Sequence, residues 1–338
     1  MTRLFTDGAE MKDLLFFSGF GTFSPSVSTT VYASGVASYE FSYSAEAAYK
    51  NLPADKTEIY FRERVRNNTS NNASTLVALR KLTNIVAKVT VDALGRWIIV
   101  LGSTTVDTAV ETMAKDTWYC IEVWYKLAAA PNGRFVLKVD GNTVCDYTGD
   151  TDPSSYTAID NLYWVQSGGA APIFYIDDLA LNDTAGGSDD SWCGGGRIIK
   201  ITPDGNGGTN DWTGSDGDSV DNYLLVDEYP SDGDTTYVYA DGTASGTEDG
   251  YTMTHYDFTN KTIERIWSEA RGRKTSAEAA SLLIGFDTGA SENTDDVGTL
   301  YETYSTRLLS AEYTTNPDDA AAWEEADIDA LEFITEVG

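Results

Sequence analysis

The chain is short of the residues that most zinc sites and hydrolytic triads require. Its 338 residues include one histidine, three cysteines and eight prolines. His255 has no second imidazole to share a zinc ion with, and no cysteine has another cysteine at zinc-ligand spacing. A Ser–His–Asp triad would need His255 as its base. Because His255 lies in a strand-like stretch between Met253 and Tyr256, a structural role is the simpler interpretation.

Long apolar runs are also absent. No segment approaches the roughly 20 apolar residues that cross a bilayer, and the first residues contain no apolar stretch of the kind that marks a secretion signal. We therefore predict no membrane partner. We also predict reduced thiols at Cys120, Cys145 and Cys193, although Cys120 and Cys145 lie in candidate strands that could be neighbours.

Basic residues are few. The chain has 23 basic and 53 acidic residues, and its net charge is −30. A surface that binds nucleic acid needs a basic stripe that releases counterions from the phosphates, so we predict no nucleic-acid partner. A high negative charge keeps a protein soluble and limits self-association. It also suits a protein that lives in salty water or on a crowded particle surface.

The abundant residues are those of β-sheets. There are 20 Tyr, 12 Phe and 8 Trp, with 30 Gly for tight turns. Residues 174–181 alternate apolar and polar side chains with period two, which is typical of a half-buried strand. A polar run, 182–190, follows, and a second β-rich half begins at Arg197. We predict an all-β chain of two β-sandwich (jelly-roll) domains, residues 1–190 and 195–338, hinged near residues 183–196.

Three segments of the first half carry a resemblance to a known family. They are WYCIEVWY at 118–125, GRFVLKVDG at 133–141 and YIDDLAL at 175–181. Their order resembles that of the concanavalin A-like (laminin-G-like) jelly-roll, over about residues 110–182. The resemblance implies a lectin-like first domain. Such domains commonly bind glycans, and others have lost any ligand.

The second half resembles a module that is common in structural proteins of tailed bacteriophages. The segments that match are ITPDG at 201–205, NYLLVDE at 222–228 and AWEEADIDALEF at 322–333. The resemblance implies a virion protein, assembled in the host cytoplasm and exposed as a head decoration, head fibre or tail-associated component. It would bind other capsid or tail proteins, form a homo-oligomer and have no enzymatic activity.

A carbohydrate-binding lectin or adhesin is the alternative. Its first half would bind host-surface polysaccharide through exposed aromatic rings, which also serve as anchors in protein interfaces. The candidates for glycan or partner binding are Trp97, Trp164, Trp192 and Trp212. Trp118 and Trp124 share one face of a strand, and we assign them to the core.

Calcium is the one cofactor that the acidic loops suggest, because it takes six to eight oxygen ligands from flexible segments. Asp177 and Asp178 are the candidate metal ligands. The alternative is a structural role, with one carboxylate facing inward onto hydrogen-bond donors. Loop residues such as Asp216 and Asp218 also offer oxygen.

A glycoside hydrolase is the third hypothesis. Glycosidases of the concanavalin A-like fold place three carboxylates on one strand face in an E-x-D-x-E pattern, and such enzymes need a closely spaced carboxylate pair. The nearest match, residues 325–329, ends in aspartate and lies outside the lectin-like half. We interpret it as a solvated helix or turn.

Overall fold

The computed structural model describes residues 3–68, 74–152, 156–166, 173–185, 189–228, 231–241, 244–275, 280–303 and 305–338, with backbone only at 305–307. Its regular structure is almost entirely strand, which confirms the predicted all-β class. The chain divides into two compact units, Met1–Ile199 and Lys200–Gly338. Among the described residues, no helix is long and apolar enough to cross a membrane.

The first unit contains fifteen strands within its described residues. In chain order they are β1 (Arg3–Asp7), β2 (Gly19–Phe20), β3 (Ser26–Ser28), β4 (Ser38–Phe41), β5 (Ala47–Lys56), β6 (Glu58–Asn67), β7 (Ser74–Lys81), β8 (Asn84–Val91), β9 (Arg96–Leu101), β10 (Thr104–Thr112), β11 (Trp118–Lys126), β12 (Gly133–Val139), β13 (Asn142–Gly149), β14 (Ile159–Val165) and β15 (Phe174–Asp183).

These strands form two antiparallel sheets around one core. Sheet I has the order β13-β12-β11-β6-β15-β4-β3, with β1 also paired to β15, and sheet II has the order β10-β9-β8-β7-β14-β5-β2. Alternate residues of each strand enter the shared core. In β6 these include Ile59 and Phe61, and in β14 they include Leu162 and Trp164. The Phe61 and Trp164 rings approach to 6.1 Å between the two sheets.

The first unit extends nine residues beyond the predicted limit of 190. The segment after β15 packs on the unit rather than leaving it. Cys193 is 6% exposed, with its thiol 3.3 Å from the Tyr60 carbonyl oxygen. Ile198 is also buried, and its backbone N–H donates to Asp178. Cys120, Cys145 and Cys193 are all free thiols.

The second unit is built on a five-stranded antiparallel sheet, β16-β19-β24-β21-β22, with two two-stranded ribbons, β17-β18 and β20-β23. Its elements are β16 (Pro203–Asn210), β17 (Thr213–Gly214), a 3-10 helix (Asn222–Leu225), β18 (Val238–Tyr239), β19 (Glu248–Met253), β20 (Glu269–Gly272), β21 (Ser281–Asp287), β22 (Glu292–Thr299), β23 (Ser305–Leu309), α1 (Glu325–Ala330) and β24 (Glu332–Val337).

The segment proposed as a helix or turn, 325–329, is indeed the start of α1. Its first turn is closed by a reciprocal cap in which Glu324 and Asp327 each accept the other's backbone N–H. The motif therefore begins a helix instead of presenting carboxylates on a strand.

Candidate functional site

Three of the four candidate tryptophans lie in hydrophobic cores. Trp97 is 1% exposed and Trp164 is fully buried. The Trp164 indole N–H donates to Glu63 at 2.7 Å, and the Trp97 ring packs edge-on against Tyr119. Trp212 is 9% exposed and belongs to a core of the second unit. The prediction that these rings offer a ligand platform is wrong, because each lies on the inner side of its sheet or loop.

Trp192 lies half-buried on the outer face of sheet I. Its ring centroid is 5.6 Å from that of Tyr60 and 6.5 Å from that of Trp124, and the Lys138 Nζ lies 3.6 Å above it. Trp118 and Trp124 also point outward, since the alternate residues Ile121 and Val123 of β11 lie in the core. Their assignment to the core was therefore wrong.

The segment after β15 covers part of this outer face and forms hydrogen bonds with charged side chains of sheet I. The Gly194 N–H donates to the Glu122 carboxylate at 2.9 Å. Arg64 donates to the Gly195 carbonyl at 3.0 Å and Arg62 donates to the Gly194 carbonyl at 3.4 Å. Because these groups already have partners within the chain, the outer face of sheet I is largely committed to holding this segment.

Asp177 and Asp178, the candidate metal ligands, are both fully buried in an irregular part of β15. Asp177 accepts the backbone N–H groups of Ala33 (2.8 Å) and Ser34 (3.3 Å). Asp178 accepts the Ser34 hydroxyl and the Ile198 N–H. Burial, with the neighbouring Asp178 charge, raises the pKa of Asp177 well above its ordinary value. The donors favour the structural role over calcium coordination, because they occupy the oxygens that calcium would need.

The outer face of sheet II carries a different set of side chains. Strand register places Tyr49 beside Tyr163, Tyr163 beside Ala78, and Ala78 beside Lys88. Arg80 follows two residues after Ala78 and shares its face. All five point away from the core, because adjacent residues of the same strands lie in the core. We call Tyr49, Tyr163, Arg80 and Lys88 the tyrosine–cation row.

Within the described part of the chain, the cations of this row have no acidic partner. The Arg80 guanidinium carbon lies 4.3 Å from the Tyr163 ring centroid, which is the geometry of a cation–π contact. Among the described residues, neither Arg80 nor Lys88 forms an ion pair, and the buried Arg80 Nε has no hydrogen-bond partner. The adjacent Lys81, by contrast, is 2.6 Å from Asp55 and 3.5 Å from Asp160.

Two amides and a small residue complete the face. Asn51 and Asn161 are register neighbours on the tyrosine side of the row. Asn161 donates from Nδ2 to the Leu82 carbonyl at 3.1 Å, and its buried Oδ1 has no partner among the described residues. Between Tyr163 and Lys88, Ala78 has only a methyl group and is fully buried. The longer side chains on either side therefore cover it and form the surface of the face.

This face also stands out against the charge of the whole chain. Residues 1–199 contain 16 basic and 23 acidic residues, whereas residues 200–338 contain 7 and 30. In such an acidic chain, carboxylates are available to pair with most cations, as they do with Lys56, Arg96 and Arg134. Arg80 and Lys88 have no carboxylate partner among the described residues and lie beside two tyrosines, which marks a place suited to an anion from outside the chain.

Sequence reasoning did not identify the tyrosine–cation row. Its members lie on β5, β7, β8 and β14, and period two indicates only that each points to one side of its own strand. The strand order β8-β7-β14-β5 brings them together. The sequence gives only one signal: Ala78, Arg80 and Tyr163 alternate with apolar residues in their strands. This pattern indicates that each points to the opposite side from its apolar neighbours.

Comparison with known proteins gives structural neighbours but no family. No family model matches the chain, and no curated protein matches it. An endo-β-1,4-glucuronan lyase from the fungus Trichoderma reesei is similar over 54% of this chain and 96% of its own, with 12% identity and a TM-score of 0.42. An alginate lyase is similar over 53% and 96%, with 12% identity and a TM-score of 0.36. A sialidase is similar over 54% and 19%, with 10% identity and a TM-score of 0.40.

These neighbours correct one expectation. We expected no enzymatic activity, and this expectation is contradicted by the neighbours, which are themselves named as lyases and sialidases. None of the comparisons indicates a phage origin. The virion location, the virion partners and the homo-oligomer stay predictions.

Proposed function

We propose that the first unit binds an anionic polysaccharide on the outer face of sheet II. The observation that carries this proposal is the pair of cations on the β7 side of Tyr163, Arg80 on β7 and Lys88 on β8, which have no acidic partner among the described residues. The proposal gives the predicted carbohydrate-binding role a site other than the tryptophans.

The side chains of the row match the groups of a carboxylated sugar. A guanidinium binds a carboxylate through two parallel hydrogen bonds, and an ammonium binds it as a point charge. Tyr49 and Tyr163 offer apolar ring surface for the C–H face of a sugar and hydroxyls for hydrogen bonding. The exposed Asn51 amide can both donate to and accept from sugar hydroxyls. An extended chain of such sugars would run across several strands.

The experiment compares binding of polyuronates with binding of uncharged glucans by calorimetry at low salt. We expect the full chain to bind polyuronates only, with affinity that falls as salt screens the charges. The double variant R80Q/K88Q should bind at least about 10-fold more weakly, a loss of about 1.4 kcal/mol. The control K115Q/K126Q makes the same charge change at exposed lysines elsewhere in the first unit and should bind normally.

The same mixtures are assayed for new reducing ends and for the ultraviolet absorbance of unsaturated sugar ends, which reports cleavage by elimination. Turnover that R80Q/K88Q abolishes and K115Q/K126Q leaves intact would place catalysis at this face. The proposal fails if no polyuronate binds the wild-type chain, or if R80Q/K88Q and K115Q/K126Q lose equal affinity.

A further inference from the structure

A loop of the second unit brings three carboxylates together. It runs from β17 to the 3-10 helix and contains Asp216, Asp218 and Asp221. Each offers a carboxylate oxygen within 4.8 Å of the others. In the part of the chain that the structure describes, none of the three forms an ion pair with Lys, Arg or His. Exposed carboxylate clusters are common without a bound metal ion, so a second feature of this loop decides whether it is a metal site.

That feature is the side chain of Asn222, which directly follows the cluster and is 1% exposed. Its Nδ2, which carries two hydrogens, lies 2.6 Å from the Asp249 carboxylate, 3.1 Å from the Trp212 carbonyl oxygen and 3.2 Å from the Asn210 amide oxygen, so these acceptors share its two N–H groups. Three acceptors around one nitrogen fix the orientation of the amide. The Asn222 Oδ1 is therefore held on the opposite side, where it is buried and has no partner among the described residues.

The unpartnered oxygen lies beside the carboxylate cluster. A Cβ built on Gly214 would be 3.1 Å from the Asn222 Oδ1, 2.5 Å from the Asp216 Oδ1 and 2.5 Å from the Leu225 Cδ1. Both oxygens therefore border the space beside Gly214, together with a Leu225 methyl group. A buried carbonyl oxygen without a donor is unfavourable, and negative carboxylates nearby cannot donate to it. A cation in this space would satisfy the Asn222 oxygen and the carboxylates together.

We infer that this loop binds one Ca²⁺ ion through Asp216, Asp218, Asp221 and the Oδ1 of Asn222. All four ligands are oxygens, so the site lacks the sulfur and nitrogen ligands that zinc and copper prefer. An irregular loop that supplies carboxylates and an amide oxygen suits calcium, which takes six to eight oxygens in flexible geometry. Mg²⁺ demands near-ideal octahedral geometry and keeps its waters, so it should bind much more weakly. This site is separate from Asp177 and Asp178.

The test titrates the metal-free full chain with CaCl₂ by calorimetry. We expect one ion per chain, with a dissociation constant between about 10⁻⁶ and 10⁻³ M, as calcium sites in sensors and extracellular modules have. D216N/D218N should weaken binding at least about 10-fold, because it removes two of the three ligand charges. The control E264Q/E302Q makes the same charge change at two exposed residues of the second unit and should bind as the wild type does.

A second variant keeps the test decisive if D216N/D218N misfolds. G214A retains all three aspartates, but its methyl group would lie 2.5 Å from the Asp216 Oδ1 and from the Leu225 Cδ1, so the Asp216 carboxylate has to move away from the Asn222 Oδ1. It too should weaken calcium binding. Tb³⁺, which takes oxygen ligands as Ca²⁺ does, provides an independent reading: its luminescence, excited through Trp212 near the loop, should be displaced by Ca²⁺. The inference is overturned if the wild-type chain shows no saturable calcium binding, or if E264Q/E302Q weakens binding as much as D216N/D218N.

Discussion

Glu63 in the core of the first unit provides the sharpest test of the structure. It lies on the inner face of β6 and is fully buried. One carboxyl oxygen accepts the Trp164 indole N–H at 2.7 Å, and the other has no partner among the described residues. Burial raises the pKa of Glu63 well above its ordinary value, and the Trp164 hydrogen bond offsets only part of this effect. We therefore expect Glu63 to carry a proton in the native state.

The raised pKa makes the stability of the first unit depend on pH. In the unfolded chain Glu63 ionises near its ordinary pKa, so between that value and the native pKa the unfolded state has lost a proton that the native state keeps. The contribution of the protonated Glu63 to the free energy of unfolding is complete below the unfolded-state pKa. It falls as pH rises towards the native-state pKa, by about 1.4 kcal/mol for each pH unit. Glu63→Gln removes this dependence. Its amide oxygen can still accept the Trp164 N–H.

The assay is denaturant unfolding of the wild type, E63Q and E63L at several pH values above 5. The stability of E63Q relative to the wild type should rise by about 1.4 kcal/mol per pH unit in this window. Other carboxylates cancel, since both proteins are compared at the same pH. E63L leaves the Trp164 N–H unpaired and should lie about 1–3 kcal/mol below E63Q at every pH. A difference between E63Q and the wild type that does not change with pH would refute the protonated state.

Two further predictions concern single groups. Burial raises the pKa of Cys145 to about 12 and of Cys193 to about 11, and it also raises the pKa of Cys120. A thiol reagent at pH 8 should therefore label none of the three in the native chain and all three after unfolding, and rapid native labelling would contradict their burial. His255 Nδ1 lies 2.7 Å from the Asp329 carboxylate, whose hydrogen bond and charge raise the pKa of His255. The imidazolium pair is present at low pH and is lost as pH rises through that pKa. The single histidine resonance should therefore titrate at lower pH in D329N, and an unchanged midpoint would show that the pair does not form in solution.

The all-β class could be predicted because its signal is local. Period-two alternation along β11, β12 and β15 depends only on neighbouring residues, and each segment is a strand in the structure. The segment 222–228 looked equally apolar, yet Asn222–Leu225 forms a 3-10 helix. There the Asn222 side chain bonds Trp212, Asn210 and Asp249, which lie 10, 12 and 27 residues away in sequence. Contacts of this kind override local preference.

The candidate site was harder, because alternation shows that a strand has two faces and not which one is inside. Trp124 and Trp164 are equally large and aromatic, and each lies in a strong strand. Trp164 points inward beside Glu63, whereas Trp124 points outward and donates its indole N–H to Glu58 at 2.8 Å. Either tryptophan could have been the buried one on the basis of its own strand. Only the pairing of whole sheets decides it.

The uneven charge of the two units connects the two proposals. The second unit carries 30 acidic and 7 basic residues in 139 positions, so its own cations cannot neutralise its loops. Like charges gathered in one loop repel one another, and a bound cation at Asp216, Asp218 and Asp221 would relieve that repulsion. The first unit has 16 basic and 23 acidic residues, yet Arg80 and Lys88 have no carboxylate partner among the described residues. The two proposed sites thus carry charges of opposite sign, and so would their ligands: a cation in the second unit and a polyanion in the first.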